Sequence, residues 1–266
     1  MRVTTRKQRI KRKIIKGVGV SLFSLALGTG VFCITGNAWR ANTLEEMQAT
    51  ANSDEIIQNQ ERLKAGENGQ TSNQHAEGET DSAEKSSSLR KGAGYNVDQR
   101  AKMDYDGVSI PSLSQVYEAN KPRNRKKAMS YVVGTISIPS VNIHLNILQG
   151  TNNVNMLYGA TTMLPHQEMG KGNYVLAGHN MKERNVLFSN LITDDKPQVH
   201  KGDKIYLSDG KKRYTYEVTY TETINMHNTK CLNPSKEPVI TLFTCTLDHD
   251  NSGKTLYRFV VHGKLV

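Results

Sequence analysis

The 266 residues contain no internal repeat, which excludes a fold built from copies of one unit. No acid occurs among the first 16 residues, no charge between Gly17 and Thr35, and no large aliphatic or aromatic side chain between Lys64 and Ser88. Each gap removes a reading. Arg2, Arg6, Lys7, Arg9, Lys11, Arg12, Lys13 and Lys16 carry +8 of the net +10, leaving +2 for the rest of the chain. A basic tail on a nearly neutral body is not a broad nucleic-acid-binding face, so no nucleic-acid partner is expected. Lys64–Ser88 is rich in Gly, Ser, Thr, Asn, Gln and Glu, with nothing to offset its ordering entropy. It reads as a tether. Cysteine is scarce as well: Cys33, Cys231 and Cys245 lie in three different settings. Cys33 is a small apolar residue inside the uncharged run, so a disulfide is conceivable only between Cys231 and Cys245.

The uncharged run has the length of a membrane span, because a helix over Gly17–Thr35 rises ~28 Å at about 1.5 Å per residue. Trp39 and Arg40 follow where an interfacial anchor is expected, and the cations before the run predict an inside N-terminus. A cleaved signal peptide is the competing reading, with Thr35-Gly36-Asn37-Ala38 weakly compatible with cleavage, but the run is long for a signal-peptide core. The expectation is a basic cytoplasmic tail over 1–16, a transmembrane anchor over 17–36 and a flexible extracellular linker over 37–100.

Within that linker, Asn42–Lys64 is compatible with a short exposed helix, since Thr43 and Glu46 have capping-box spacing. Tyr105, Val108, Ile110, Leu113, Val116 and Tyr117 then mark an N-terminal appendage to a domain over 101–266, with a short helix after Pro111. Lys121–Lys127 reads as a solvated basic loop. From Met129 onward, strands are expected at Tyr131–Ile138, Ile143–Leu148, Asn173–Ala177, Lys204–Ser208, Arg213–Thr221, Val239–Cys245 and Leu256–Val261. Asn152–Leu157 and Val186–Ile192 read as short helices. The pattern argues for an all-β barrel or sandwich.

Two strand ends carry chemistry. Val239–Cys245 ends on a thiol, and alternation in the next run puts Arg258 on the face of Leu256 and Val260, where an arginine is costly without a role. Upstream, Tyr174–Ala177 runs into Gly178-His179-Asn180, another apolar run ending on a polar residue. Cys, His and Arg together are the parts of thiol-based acyl transfer. His249 and His262 are further histidines near these strand ends. Residues alone also permit a buried structural thiol in a non-catalytic, membrane-tethered β-barrel that binds cell-wall polymer.

Thr241-Leu242-Phe243-Thr244-Cys245 resembles the TLxTC signature of sortases, the cysteine transpeptidases of Gram-positive cell surfaces. Gly134–Pro139, Met156–Ala160, Met169–Tyr174 and Ala177–Asn180 resemble the class A branch, in the same order along the chain. The resemblance implies a closed sortase-type β-barrel of about eight strands with short helices. It implies Cys245 as nucleophile, His179 as general acid–base and Arg258 as the oxyanion or substrate clamp, with the Thr244 hydroxyl holding Arg258 or substrate. It further implies a secreted protein with a C-terminal LPxTG-type signal, cut between Thr and Gly and joined to a cell-wall amine such as that of lipid II. Val186, Leu187, Leu191 and Ile192, or the residues around Ile224 to Leu232, are expected to line the groove for that signal. The other expected contact is membrane lipid, through residues 17–36. No cofactor or metal is expected, because the loop Pro165–Lys171 offers one carboxylate beside a lysine, too few oxygens for calcium.

Overall fold

The structure, a computed structural model, describes residues 36, 38–71, 111–181, 186–246 and 255–266. Two units are distinguished, Met1–Thr43 and Leu44–Val266. In the first, the described residues are helical. The expected tail and all but the last residue of the expected anchor lie outside the described residues, as do most of Lys64–Ser88 and Tyr105, Val108 and Ile110. Among the described residues, no helix is long and apolar enough to cross a membrane.

Eight strands of the second unit close into a barrel: β1 (Val132–Ile138), β2 (Ile143–Leu148), β3 (Gly159–Thr162), β4 (Asn173–Ala177), β7 (Lys204–Ser208), β8 (Arg213–Asn225), β9 (Val239–Cys245) and β10 (Tyr257–Leu265). Around the barrel the order is β1-β2-β3-β4-β9-β10-β8-β7, and β5 (Ile192–Thr193) with β6 (Lys196–Pro197) forms a separate two-stranded ribbon. Two neighbouring pairs are parallel, β2 with β3 and β4 with β9. Alternation decides which side chains enter the barrel: Val132, Ile136 and Ile138 on β1, and Ile205 and Leu207 on β7, join one continuous core. The all-β expectation therefore resolves as a closed barrel.

Some elements differ from the sequence-based expectation. Gly159–Thr162 is a strand, although its only large-residue signal is the preceding Tyr158; glycine is required there because a Cβ on Gly159 would lie 2.2 Å from the Asn146 carbonyl oxygen. β8 runs on to Asn225 and β10 to Leu265, since each is the other's partner along most of its length. The expected helices at 152–157 and 186–192 shrink to single 3-10 turns, Asn155–Leu157 and Ser189–Leu191. Lys121–Lys127 is not a loop: Pro122–Met129 is a helix, with Pro122 in its first turn and Lys126 and Lys127 complementing the dipole at its end. It follows the expected short helix, Leu113–Ala119, which Ser112 and Gln115 close with a capping box.

The largest difference lies in residues 44–65, expected as linker. They are part of the folded unit. A helical turn through residues 44–47 leads to a helix at Ser53–Thr71, and Leu44, Met47, Ile56 and Leu63 are buried in the barrel's main core. Polar side chains fasten the segment: Asn59 Nδ2 donates to the Met129 and Val132 carbonyls, and Gln60 Nε2 to those of Val133 and Asp209. Asn146, buried on β2, receives the Ala51 N–H at 2.8 Å and donates to the Ala49 carbonyl at 3.0 Å.

Candidate active site

β9 sits between a parallel neighbour, β4, and an antiparallel one, β10. Ile240 and Leu242 face the barrel core, so Phe243 and Cys245 emerge on the opposite face. There Phe243 joins Met156, Val175, Ala177, Ile224 and Val260 in a second apolar cluster, flanked by the partly buried Met163, Leu164, Cys231 and Leu232. Cys245 stands at one end of this floor. Cys231 and Cys245 are both free thiols.

Register brings the other two residues to Cys245. Arg258 of β10 is paired directly with Cys245 and, on its other side, with Ile224. On β4, Ala177 is level with Phe243 in parallel register, so His179, two residues further, comes level with Cys245. Hydrogen bonds continue that register beyond the strand: Gly178 N–H to the Phe243 carbonyl at 3.0 Å, Thr244 Oγ1 to the Gly178 carbonyl at 2.9 Å, and Asn180 Nδ2 to the Cys245 carbonyl at 3.0 Å. Residue 178 must be glycine, because a Cβ there would come within 2.6 Å of the Phe188 ring.

His179 is only 3% exposed, and its Nε2 finds no hydrogen-bond partner among the described residues. Burial pushes its pKa down from 6.5 to about 4, because desolvation penalises the imidazolium. In this arrangement the ring is neutral at pH 7 and able to accept a proton. Arg258 is half-buried, and its Nη1 donates to the Thr255 carbonyl at 3.1 Å, to Thr255 Oγ1 at 2.9 Å and to the Tyr257 carbonyl at 3.0 Å. Its Nε and Nη2 have no such engagement among the described residues.

The remaining expected site residues are placed differently. Thr244 turns away from Arg258 and binds Gly178, so its hydroxyl positions the strand ahead of His179 instead of clamping the arginine. The Thr246 N–H donates to the Tyr257 carbonyl at 3.3 Å, which leaves it engaged in the sheet. Val186, Leu187, Leu191 and Ile192 are buried in the main core, because their short ribbon-and-turn segment packs inward. They do not line the face with Cys245; Ile224 and Leu232, from the alternative group, do. His262 lies farther along that face, its Nε2 2.9 Å from Glu222 Oε1 and its ring stacked on Tyr220. His249 lies outside the described residues. Two supporting residues carried no sequence signal: Phe188, whose N–H donates to the His179 carbonyl at 3.0 Å, and Ser189, whose Oγ receives the Met181 N–H at 2.8 Å.

Comparison with known proteins gives a consistent answer. Residues 136–266 match the family model of the sortase domain. The chain is 39% identical over 181 residues to sortase A of Listeria monocytogenes, covering 68% of this chain and 74% of that protein. It is also 39% identical over 181 residues to sortase A of Bacillus anthracis, covering 64% and 79% respectively. The solved structure of Listeria monocytogenes sortase A overlays 51% of this chain and 88% of that one at 45% identity, with a TM-score of 0.46.

Proposed function

The chain belongs to the sortase family and to its class A branch of cysteine transpeptidases, and on that premise we propose that Cys245, His179 and Arg258 are its catalytic residues. The observation that carries this reading is the register that sets Arg258 and His179 on either side of Cys245, at one end of an apolar floor. His179 takes the thiol proton as Cys245 attacks a peptide carbonyl, which forms the C–S bond and an oxyanion. The neighbouring Arg258 guanidinium, which cannot lose its proton, stabilises that oxyanion or holds the substrate backbone. The C–N bond then breaks, and the His179 imidazolium protonates the leaving amine. An incoming amine attacks the thioester, His179 accepts its proton, and the released thiolate is reprotonated.

The substrate that fits is a secreted protein with a C-terminal LPxTG-type signal, cut between Thr and Gly. Val175, Ala177, Phe243 and Val260 form a buried apolar base, and the partly buried Met163, Leu164 and Leu232 packed against it offer the apolar contacts that Leu and Pro side chains need. The acceptor is the amine of a cell-wall precursor of the lipid II type. Residues 17–36 serve as a single-pass anchor in membrane lipid, with residues 1–16 cytoplasmic and the barrel outside, where both substrates are found. The test is incubation with LPxTG-type peptides and small amines, followed by mass spectrometry. An acyl adduct on Cys245 and an amine-exchanged peptide are expected. Absence of both across a peptide library would reject the sorting-signal substrate.

A further inference from the structure

We propose that Gln48 is a positioning residue for His179, acting across the turn at Val186–Ser189, so that the catalytic unit extends back into the segment before the barrel. The inference rests on His179 being the general acid–base.

The Gln48 side chain is buried, 8% exposed, and both ends of its amide are used. Nε2 donates to the Leu44 carbonyl at 2.9 Å, and Oε1 accepts the N–H of Leu187 at 2.8 Å, 139 residues away in the chain. Leu187 is itself unusual, a branched residue at φ +53°, in the left-handed region that L side chains rarely adopt. Its neighbours grip the histidine segment at three consecutive positions. Leu187 bridges Asn180, the Phe188 N–H donates to the His179 carbonyl, and Ser189 Oγ receives the Met181 N–H. Asn180 in turn holds the Cys245 carbonyl. The turn is therefore a clamp on residues 179–181, and the Leu187 N–H on its far side is satisfied by Gln48.

Removing that acceptor would orphan a buried N–H in a residue already held in a disfavoured conformation. The cheapest relief is rotation of the 186–187 peptide, which carries that N–H and sets the Leu187 φ, and the adjoining Phe188 N–H shifts on the His179 carbonyl with it. Gln48 is well placed to resist this, because Ala49 and Ala51 beside it are tied to Asn146 of β2, and Leu44 and Met47 are sunk in the core. It touches no reacting atom. Its effect is on where the imidazole stands relative to the thiol.

The test uses the full-length protein, with turnover of an LPxTG-type peptide normalised to titrated Cys245 thiol. Gln48→Met keeps length and apolar packing but removes the acceptor, whereas Gln48→Glu retains an oxygen for the Leu187 N–H. Gln48→Met is expected to lower kcat ~10- to 100-fold, the scale of an ångström-level misplacement, with KM nearly unchanged. Its pH–rate profile should shift on the limb governed by His179, and Gln48→Glu should recover most of kcat. Hydrogen exchange at the Leu187 amide should quicken in Gln48→Met and stay slow in Gln48→Glu. If Gln48→Met does not fold, Gln48→Asn, which withdraws the carbonyl by one methylene, takes its place under the same criteria. A kcat within twofold of the parent, or a loss that Gln48→Glu does not restore, overturns the proposal. His179→Ala and Cys245→Ala run alongside: if they retain turnover, the reading of the site fails, and if they are inactive while Gln48→Met is normal, only the role of Gln48 fails.

Discussion

Replacing His179 with glutamine, which has similar bulk but does not titrate, should make the protein less sensitive to acid. The folded chain holds the imidazole at about 4, whereas an unfolded chain leaves it near 6.5. Between those values the unfolded state binds more protons, so stability is full above the unfolded pKa and is lost as pH falls toward the folded one. The ceiling, for a shift of this size, is about 3 kcal/mol, and by pH 5 about 2 kcal/mol of it is already gone. Urea unfolding at pH 8 and pH 5 reads this directly. With a slope of about 2 kcal/mol/M, the parent should lose roughly 1 M more of its midpoint than His179→Gln over that interval. The other carboxylates and histidines are common to both proteins and cancel. Titration of the His179 ring by NMR gives an independent value. Equal acid sensitivity in the two proteins, or a ring that titrates between pH 6 and 7, would refute the burial argument.

Cys245→Ala should abolish both cleavage and transfer in a peptide–amine exchange assay, and His179→Ala should lower turnover by the ~10²–10⁴-fold of a lost general acid–base. Arg258→Lys keeps the charge but loses the planar fork, so kcat/KM should fall severely while near-UV circular dichroism stays native. Gly178→Ala should destabilise by about 1–3 kcal/mol in the same urea assay, since the new methyl would overlap the Phe188 ring. Millimolar calcium should leave transpeptidation unchanged, because Glu168 in the loop before β4 is already paired with Lys171 at 2.6 Å; a several-fold rise reversed by chelator would contradict this.

Much of the barrel was legible because its strands are written in β-branched and aromatic residues bounded by turns. Ile143–Leu148, Asn173–Ala177, Lys204–Ser208 and Val239–Cys245 have the bounds that pattern predicts. Gly159–Thr162 was not legible, since a short Gly-Ala-Thr-Thr segment becomes a strand only through partners on both sides. The closeness of His179, Cys245 and Arg258 followed from motif resemblance; sequence gave no way to know that β4 and β9 are parallel neighbours, which brings His179 level with Cys245. The groove lining failed for a related reason. Val186, Leu187, Leu191 and Ile192 are apolar and near the histidine in sequence, but apolarity does not say which of two apolar clusters a side chain joins.

The segment before the barrel resembles a linker in sequence because what fastens it is written in polar residues. Gln48, Asn59 and Gln60 look like linker composition, yet each satisfies a backbone group of the folded unit: the Leu187 N–H and the carbonyls of Met129, Val132, Val133 and Asp209. Few apolar residues sufficed to seat it, since Leu44, Met47, Ile56 and Leu63 are each buried and each contributes about 1.5–3 kcal/mol. A chain beginning near residue 95 would therefore expose the core surface that these four side chains cover and would leave those backbone groups to water. It should unfold at markedly lower urea than a chain beginning at residue 38, by more than any single substitution above. Equal midpoints for the two chains would mean that residues 44–64 rest on the barrel without supporting it, and the folded unit would then begin where the strand pattern does.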